Sequence, residues 1–324
     1  MPNLSANMIY GLYTCRLLSS VLNDTEPTSL PEGMTLGGLY NYQKEQDVTN
    51  MAYVALKKLG YDDVELLEFK DDYKLNILRE ARFELAGQKV FNSFEKAEIP
   101  FIPLKGVLLK NMYPNPSLRT FTDIDIYVGG KFDEAERILL NDGFEKTTGD
   151  DHNDISYVKK PSIHVELHKD LFPDDYDFDG YFDEPFKHTE IKEGYKYYHL
   201  YRKDDFFIHV LCHLYKHFTF GGCGLRQYLD IYVMTKKMQL DMDYIRSELR
   251  SFGMEGFLDT TLTLNRFFFD KEKPTDDELK YCLAYKHPFK KILVASAGPL
   301  MNLFLAFVLF FAAFSVLLCC FESI

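Results

Sequence analysis

The sequence has no tryptophan, and its six cysteines (Cys15, Cys212, Cys223, Cys282, Cys319 and Cys320) include no Cys-x-x-Cys pair. That spacing gives neither a zinc ribbon nor a disulfide framework, so the thiols fit a reducing compartment. No His-Glu-x-x-His occurs anywhere in the chain, which excludes the helical zinc-protease motif. A charged leader followed by an apolar run is missing from Met1 to Val21. No signal peptide is therefore expected, and the body of the chain is expected in the cytoplasm. Positive charge is scarce: 37 Lys and Arg against 49 Asp and Glu leave a net charge of −12. Coating a nucleic acid requires clustered cations to neutralise phosphates, so that class is disfavoured. A small polyphosphate stays open, because a divalent ion can neutralise it locally.

What is present is a globular composition. Of 324 residues, 46% are apolar and 15% aromatic, chiefly 28 Phe and 22 Tyr, enough to bury more than one average core. Hydrophobic periodicity divides the chain into a helical cap over 1–97, a mixed strand and helix region over 98–200, a helical bundle over 201–289 and a hydrophobic tail over 290–324. In the cap, Leu75, Ile77, Leu78, Ala81, Phe83, Val90, Phe91 and Phe94 recur at helical spacing. Ile99 to Leu104, interrupted by prolines, predicts an edge strand, and Gly106 to Met112 the first turns of a helix. Phe132, Ala135, Ile138 and Leu139 predict another helix with Gly143 as its C-cap. Ile155 to Val158 and Ile163 to Leu167 read as strands joined by a turn at Pro161-Ser162. The acidic and aromatic stretch from Asp170 to Asp183 predicts a solvated loop. From Ile292 to Phe321 no charged residue occurs, long enough to cross a bilayer, which takes about twenty residues. Lys286, Lys290 and Lys291 precede it, which predicts a cytoplasmic body anchored through 292–321. A buried helix is the alternative.

The chemistry concentrates between residues 105 and 168. Phe121 to Val128 alternates, with Thr122, Ile124, Ile126 and Val128 on one face and Asp123, Asp125 and Tyr127 on the other. Two Asp one residue apart on a strand point the same way, roughly 7 Å apart, and can converge on hard cations. An edge strand with both Asp solvated is the plainer account of the same pattern. Lys105-Gly106 opens the following helix, where backbone N–H groups and the helix dipole favour a phosphate. Arg119, four residues before Asp123, suits bidentate phosphate contact. In His164-Val165-Glu166-Leu167-His168 the strand pattern puts His164, Glu166 and His168 on one face. Glu166 is then a third carboxylate, as a general base or as support for a metal. Zinc on the two His and Glu is a further option, at a spacing that is not diagnostic.

Leu104-Lys105-Gly106, Tyr113-Pro114, Arg119, Asp123-Ile124-Asp125 and Val165-Glu166-Leu167-His168 occur in one order. Together they resemble the uncharacterised bacterial nucleotidyltransferase family of the DNA polymerase β superfamily, from about residue 75 to 240. The resemblance implies an α+β fold with a polymerase-β-like palm, a small mixed sheet flanked by N- and C-terminal helical segments, here followed by one C-terminal hydrophobic helix. It also implies two Mg²⁺ (or Mn²⁺) ions on Asp123, Asp125 and Glu166, and transfer of a nucleoside monophosphate from an NTP to a hydroxyl or phosphate acceptor on a small molecule or protein. Lys105, Gly106 and Arg119 become nucleotide-binding residues. This chain has Lys-Gly where better-known superfamily members have Gly-Ser. The resemblance extends to the helix carrying His209, His213 and His217 with Arg226 and Asp230 beyond it, which adds His213 and Arg226 as nucleotide contacts; packing histidines and an Arg226–Asp230 pair are the alternative. Ser296 to Asn302 is similar to the Ala-Gly-Pro-x-x-Asn helix of site-2 intramembrane metalloproteases, though the chain lacks their zinc motif. The competing function is a catalytically silent nucleotide-binding module tethered at the membrane.

Overall fold

The computed structural model describes residues 6–147, 154–173, 175–176, 178–220, 222–270 and 272. Four helices come first: α1 (Ala6–Leu22), α2 (Leu36–Glu45), α3 (Thr49–Lys58) and the long α4 (Leu67–Lys96). The mixed region follows with β1 (Ile102–Pro103), the short α5 (Gly106–Leu109), β2 (Ile124–Tyr127), α6 (Phe132–Asn141), β3 (Glu145–Lys146), β4 (Asp154–Lys159) and β5 (Ile163–His168). A two-stranded ribbon, β6 (Thr189–Ile191) with β7 (His199–Tyr201), leads into α7 (Lys203–Phe220), α8 (Leu225–Lys237), α9 (Met242–Ser251) and α10 (Glu255–Asn265). The fold is thus mixed α+β, a small mixed sheet with helices on either side of it in the sequence. The expected hydrophobic helix over 292–321, and the metalloprotease-like segment within it, lie outside the described residues. Among the described residues no helix is long and apolar enough to cross a membrane.

The chain forms two compact units. One comprises the described residues of 1–69, 212–232 and 256–324, the other those of 70–211 and 233–255. In the first, α1, α2 and α3 pack on one another around Leu17, Leu18, Leu39, Met51 and Leu56. Cys15, Cys212 and Cys223 are buried and unbridged.

The second unit contains the sheet, in strand order β1-β2-β5-β4-β3. β2 and β5 run parallel, with Ile124 opposite Val165 and Asp125 opposite Glu166, while the other neighbours are antiparallel. One face of this sheet is hydrocarbon. Ile124, Ile126, Val165 and Leu167 are fully buried and share a core with Phe83, Val90, Phe91 and Phe94 of α4 and Phe132, Ala135 and Leu139 of α6. Alternation forces the intervening residues onto the other face. β1 is the edge strand that its prolines predict, and Gly143, at φ +84°, ends α6.

Two expectations need correction. The alternating segment 121–128 is regular only over Ile124–Tyr127. Phe121 is drawn into the core against the edge of the Phe83 ring, 5.2 Å away, and the chain bends at exposed Thr122 before pairing begins. The stretch 170–183 is not a solvated loop. Leu171, Phe172, Phe178 and Tyr181 are buried, and Phe172 packs 4.8 Å from Phe178 and 4.7 Å from Phe182. Asp175, Asp179 and Asp183 remain outside. The charges advertised a loop, but burial of the aromatic rings decides the packing.

The sheet core predicts the stability map. Leu167→Ala leaves a cavity beneath β5 and should cost about 3 kcal/mol. Leu85→Ala, at a position 69% exposed on α4, should stay within about 0.5 kcal/mol. Urea midpoints of the two variants check this; a larger loss at Leu85 would show that this helix face is covered.

Candidate active site

The polar face of β2 and β5 is built by register. Leu104 N–H donates to the Asp125 carbonyl at 2.9 Å, holding the end of β1 against β2. The chain then turns at Lys105, whose φ of +46° is unusual for a residue with a side chain. That turn returns the Lys105 ammonium to the sheet, where Nζ lies 3.1 Å from Asp125 Oδ1. From β5, His168 Nε2 lies 2.9 Å from the same oxygen. An ionised carboxylate only accepts, so His168 donates here. Asp125 is 4% exposed and His168 equally buried.

Glu166 stands beside Asp125 across the parallel pair. Ser156 Oγ of β4 donates to Glu166 Oε1 at 3.3 Å. The two carboxyl groups are pushed in opposite directions. Burial alone would raise Asp125, but the Lys105 charge and the His168 hydrogen bond outweigh it and hold the group well below the usual carboxylate range. Burial, then the charges of Asp125, Asp123 and Asp154, push Glu166 up to about 8, and Lys105 only partly offsets them.

Among the described residues Asp125, Glu166 and His168 each offer one ligand atom, all within 4.8 Å of one another. Two carboxylate oxygens and an imidazole nitrogen suit a divalent ion. The charge balance agrees. Glu166 keeps a proton because the pocket is short of positive charge, and a dication removes that shortage.

The other sequence candidates fall as follows. Asp123 is half-buried one residue ahead of β2, and its Oδ2 accepts from Thr122 Oγ1 at 3.2 Å; it acts on Glu166 by charge. Gly106 is required by packing, since a Cβ there would lie 2.7 Å from Arg119 Nη1 and 3.0 Å from Phe121 Cβ. Arg119 is buried, and its Nη1 donates to the Thr120 carbonyl at 3.4 Å. α5 is only four residues long, too short for the dipole contribution the sequence suggested. His209 is a core residue, stacked on Tyr201 at 5.3 Å. His213 and Arg226 belong to the other compact unit, where His213 Nε2 is 3.1 Å from His217 Nε2 and Arg226 lies 3.4 Å from Asp47 Oδ2.

The sequence placed His168 on the Glu166 face and offered it only as an optional zinc ligand beside His164; the structure brings it onto Asp125. Lys110 was missed and gave no such signal. It is 2% exposed, lies 2.6 Å from Glu80 Oε1, also bonds Glu84, and so ties the end of α5 to α4.

Comparison with known proteins follows the same residues. No curated protein and no solved structure matches the chain. The sequence model of the uncharacterised nucleotidyltransferase family matches residues 35–270, which include every residue of the site described above. The chain belongs to that uncharacterised nucleotidyltransferase family and is an enzyme of its class.

Proposed function

We propose that this enzyme moves a nucleoside monophosphate from an NTP to a hydroxyl or phosphate on a small molecule or protein, at the Asp125–Glu166 face of the sheet. The observation that carries the reading is the side-by-side register of Asp125 and Glu166 with His168 within ligand distance. A parallel strand pair with carboxylates on its open face and helices packed behind also supports reading the sheet as a polymerase-β-like palm.

Asp125, Glu166 and His168 would hold a Mg²⁺ or Mn²⁺ ion, with Asp123 near enough in charge to contribute. When bound, the ion neutralises the polyphosphate and acts as a Lewis acid toward it. Lys105 and Arg119 supply the cationic side chains for the phosphate oxygens, and Gly106 keeps the Arg119 guanidinium close to the α5 turn. The acceptor oxygen forms a bond to the α-phosphorus, the bond from that phosphorus to the bridging oxygen breaks, and pyrophosphate departs. A hydroxyl acceptor gives up its proton to an unprotonated carboxylate or to water. The uncharged segment 292–321 serves in this reading as an anchor that keeps the body on the cytoplasmic side. Truncation after Lys291 should then release the protein from a membrane pellet, and a soluble full-length chain would remove the anchor from the account.

Asp125→Asn preserves shape and removes the charge. Labelling of an acceptor by an α-labelled NTP should fall by at least about a hundredfold, and unchanged labelling would falsify the site. Glu166 gives a pH dependence of definite sign. Its folded pKa lies above its ordinary value of 4.5, so the folded state holds the extra proton. Without metal, stability should decline as pH rises from about 4.5 toward about 8 and level off above that. Mn²⁺ must displace the proton, so its stabilising effect should grow between pH 6.5 and 8.5. Melting curves with and without Mn²⁺ measure both trends, and Glu166→Gln should flatten them. If Glu166→Gln keeps Mn²⁺ binding but loses turnover, the residue accepts the acceptor's proton instead of supporting the ion.

A further inference from the structure

We infer that Lys105 is a stand-in cation: its ammonium neutralises Asp125 while no metal is bound, and arrival of a divalent ion releases it to the nucleotide's polyphosphate. The inference rests on the reading of Asp125, Glu166 and His168 as a divalent-ion site and adds an order of events to it. Metal binding creates the free phosphate-binding cation, so metal and nucleotide bind with positive coupling.

Three observations carry it. Lys105 Nζ and His168 Nε2 converge on one oxygen, Asp125 Oδ1, at 3.1 and 2.9 Å. A carboxylate oxygen has about two lone pairs, so both acceptor positions are filled. An ion that takes Oδ1 must displace a donor, and one that takes the other carboxylate oxygen brings two positive charges up beside the Lys105 ammonium. His168 can stay by changing from donor to ligand, since moving its proton to the other ring nitrogen frees a lone pair within ligand distance of Glu166 and Asp125. Lys105 cannot, because an ammonium has no lone pair and a dication beside it repels it.

The second observation is charge placement. Lys105 supplies the ammonium that pairs with Asp125, at 3.1 Å from Oδ1. Its side chain is 17% exposed against 6% for Asp125, so the lysine reaches solvent while the carboxylate it pairs with is almost fully covered. The third is backbone strain. Lys105 has φ +46° and ψ −112°, a conformation that side-chain-bearing residues rarely adopt. Such strain persists where it places a side chain that matters, and here it turns the ammonium back onto Asp125.

The test measures binding, independently of turnover. Mn²⁺ affinity is read by electron paramagnetic resonance of the free ion at one fixed pH. It is measured in the wild-type chain, Lys105→Met, Lys105→Arg and Lys105→Gly, the last of which removes the ammonium and relieves the backbone together. Lys105→Met and Lys105→Gly should bind Mn²⁺ about tenfold more tightly than wild type, while Lys105→Arg, still cationic, should not gain. With a nonhydrolysable α,β-methylene ATP, the wild-type protein should show mutual tightening of Mn²⁺ and nucleotide that both neutral variants lose. Should Lys105→Met fail to fold, Lys105→Gly carries the comparison. Equal or weaker Mn²⁺ binding in the neutral variants overturns the stand-in role and leaves the ion site intact. Absence of Mn²⁺ binding to the wild-type chain overturns the ion site and the inference together.

Discussion

The carboxylate of Asp125 lies in the middle of a sheet whose opposite face is hydrocarbon, and it stays ionised because Lys105 and His168 both donate to it. Burying a charge is expensive unless it is paired and hydrogen-bonded. Much of the surrounding structure provides that pairing. The β1–β2 contact at Leu104 sets where the chain turns and therefore where the Lys105 ammonium lands. The parallel β2–β5 register sets the position of His168. A slip of β2 by one residue against β5 would turn Asp125 into the core and Ile124 or Ile126 out of it. The apolar core and the polar site therefore fix each other's register.

The same constraint separates two neighbouring carboxyl groups into two chemical states. Asp125 has a cation and an imidazole donor and stays ionised. Glu166 has a serine hydroxyl at 3.3 Å and three acidic neighbours acting on it, and it retains a proton to about 8. Pairs of titratable groups pushed apart in this way mark sites where charge is going to change. A purely structural ion pair does not need a second carboxyl group held protonated beside it, whereas the proposed divalent-ion site does.

Much of this was legible in the sequence. Alternation in Ile124–Tyr127 and in Ile163–His168 gave both strands and put their carboxylates on one face, and prolines gave the edge position of β1. What could not be read was which strand neighbours which. Parallel β2–β5 pairing is a long-range fact, set by how the buried faces of both strands meet α4 and α6. Without it the three carboxylates were a list in chain order, and His168 was only one of two histidines near Glu166. His164, two residues before Glu166, is exposed, while His168, two residues after, is buried on Asp125. Strand alternation treats the two alike, and tertiary packing separates them. The misread stretch 170–183 has the same origin. Its Asp residues are visible as charge, but the depth at which Phe172 and Phe178 are buried depends on Phe252 and His209, which lie far along the chain.

The pairing of Lys105 with Gly106 follows from the shortness of α5. A long helix would offer aligned N–H groups and a macrodipole to a phosphate, whereas four residues offer little of either. In the proposed reading, recognition of a polyphosphate then falls to side-chain cations, and the turn delivers them. Gly106 makes room for the Arg119 guanidinium, which any side chain there would displace. Lys105 delivers the second charge, at the cost of a strained φ. That charge is paired with Asp125 in the structure, so in the proposed order of binding one residue serves the carboxylate first and the polyphosphate second.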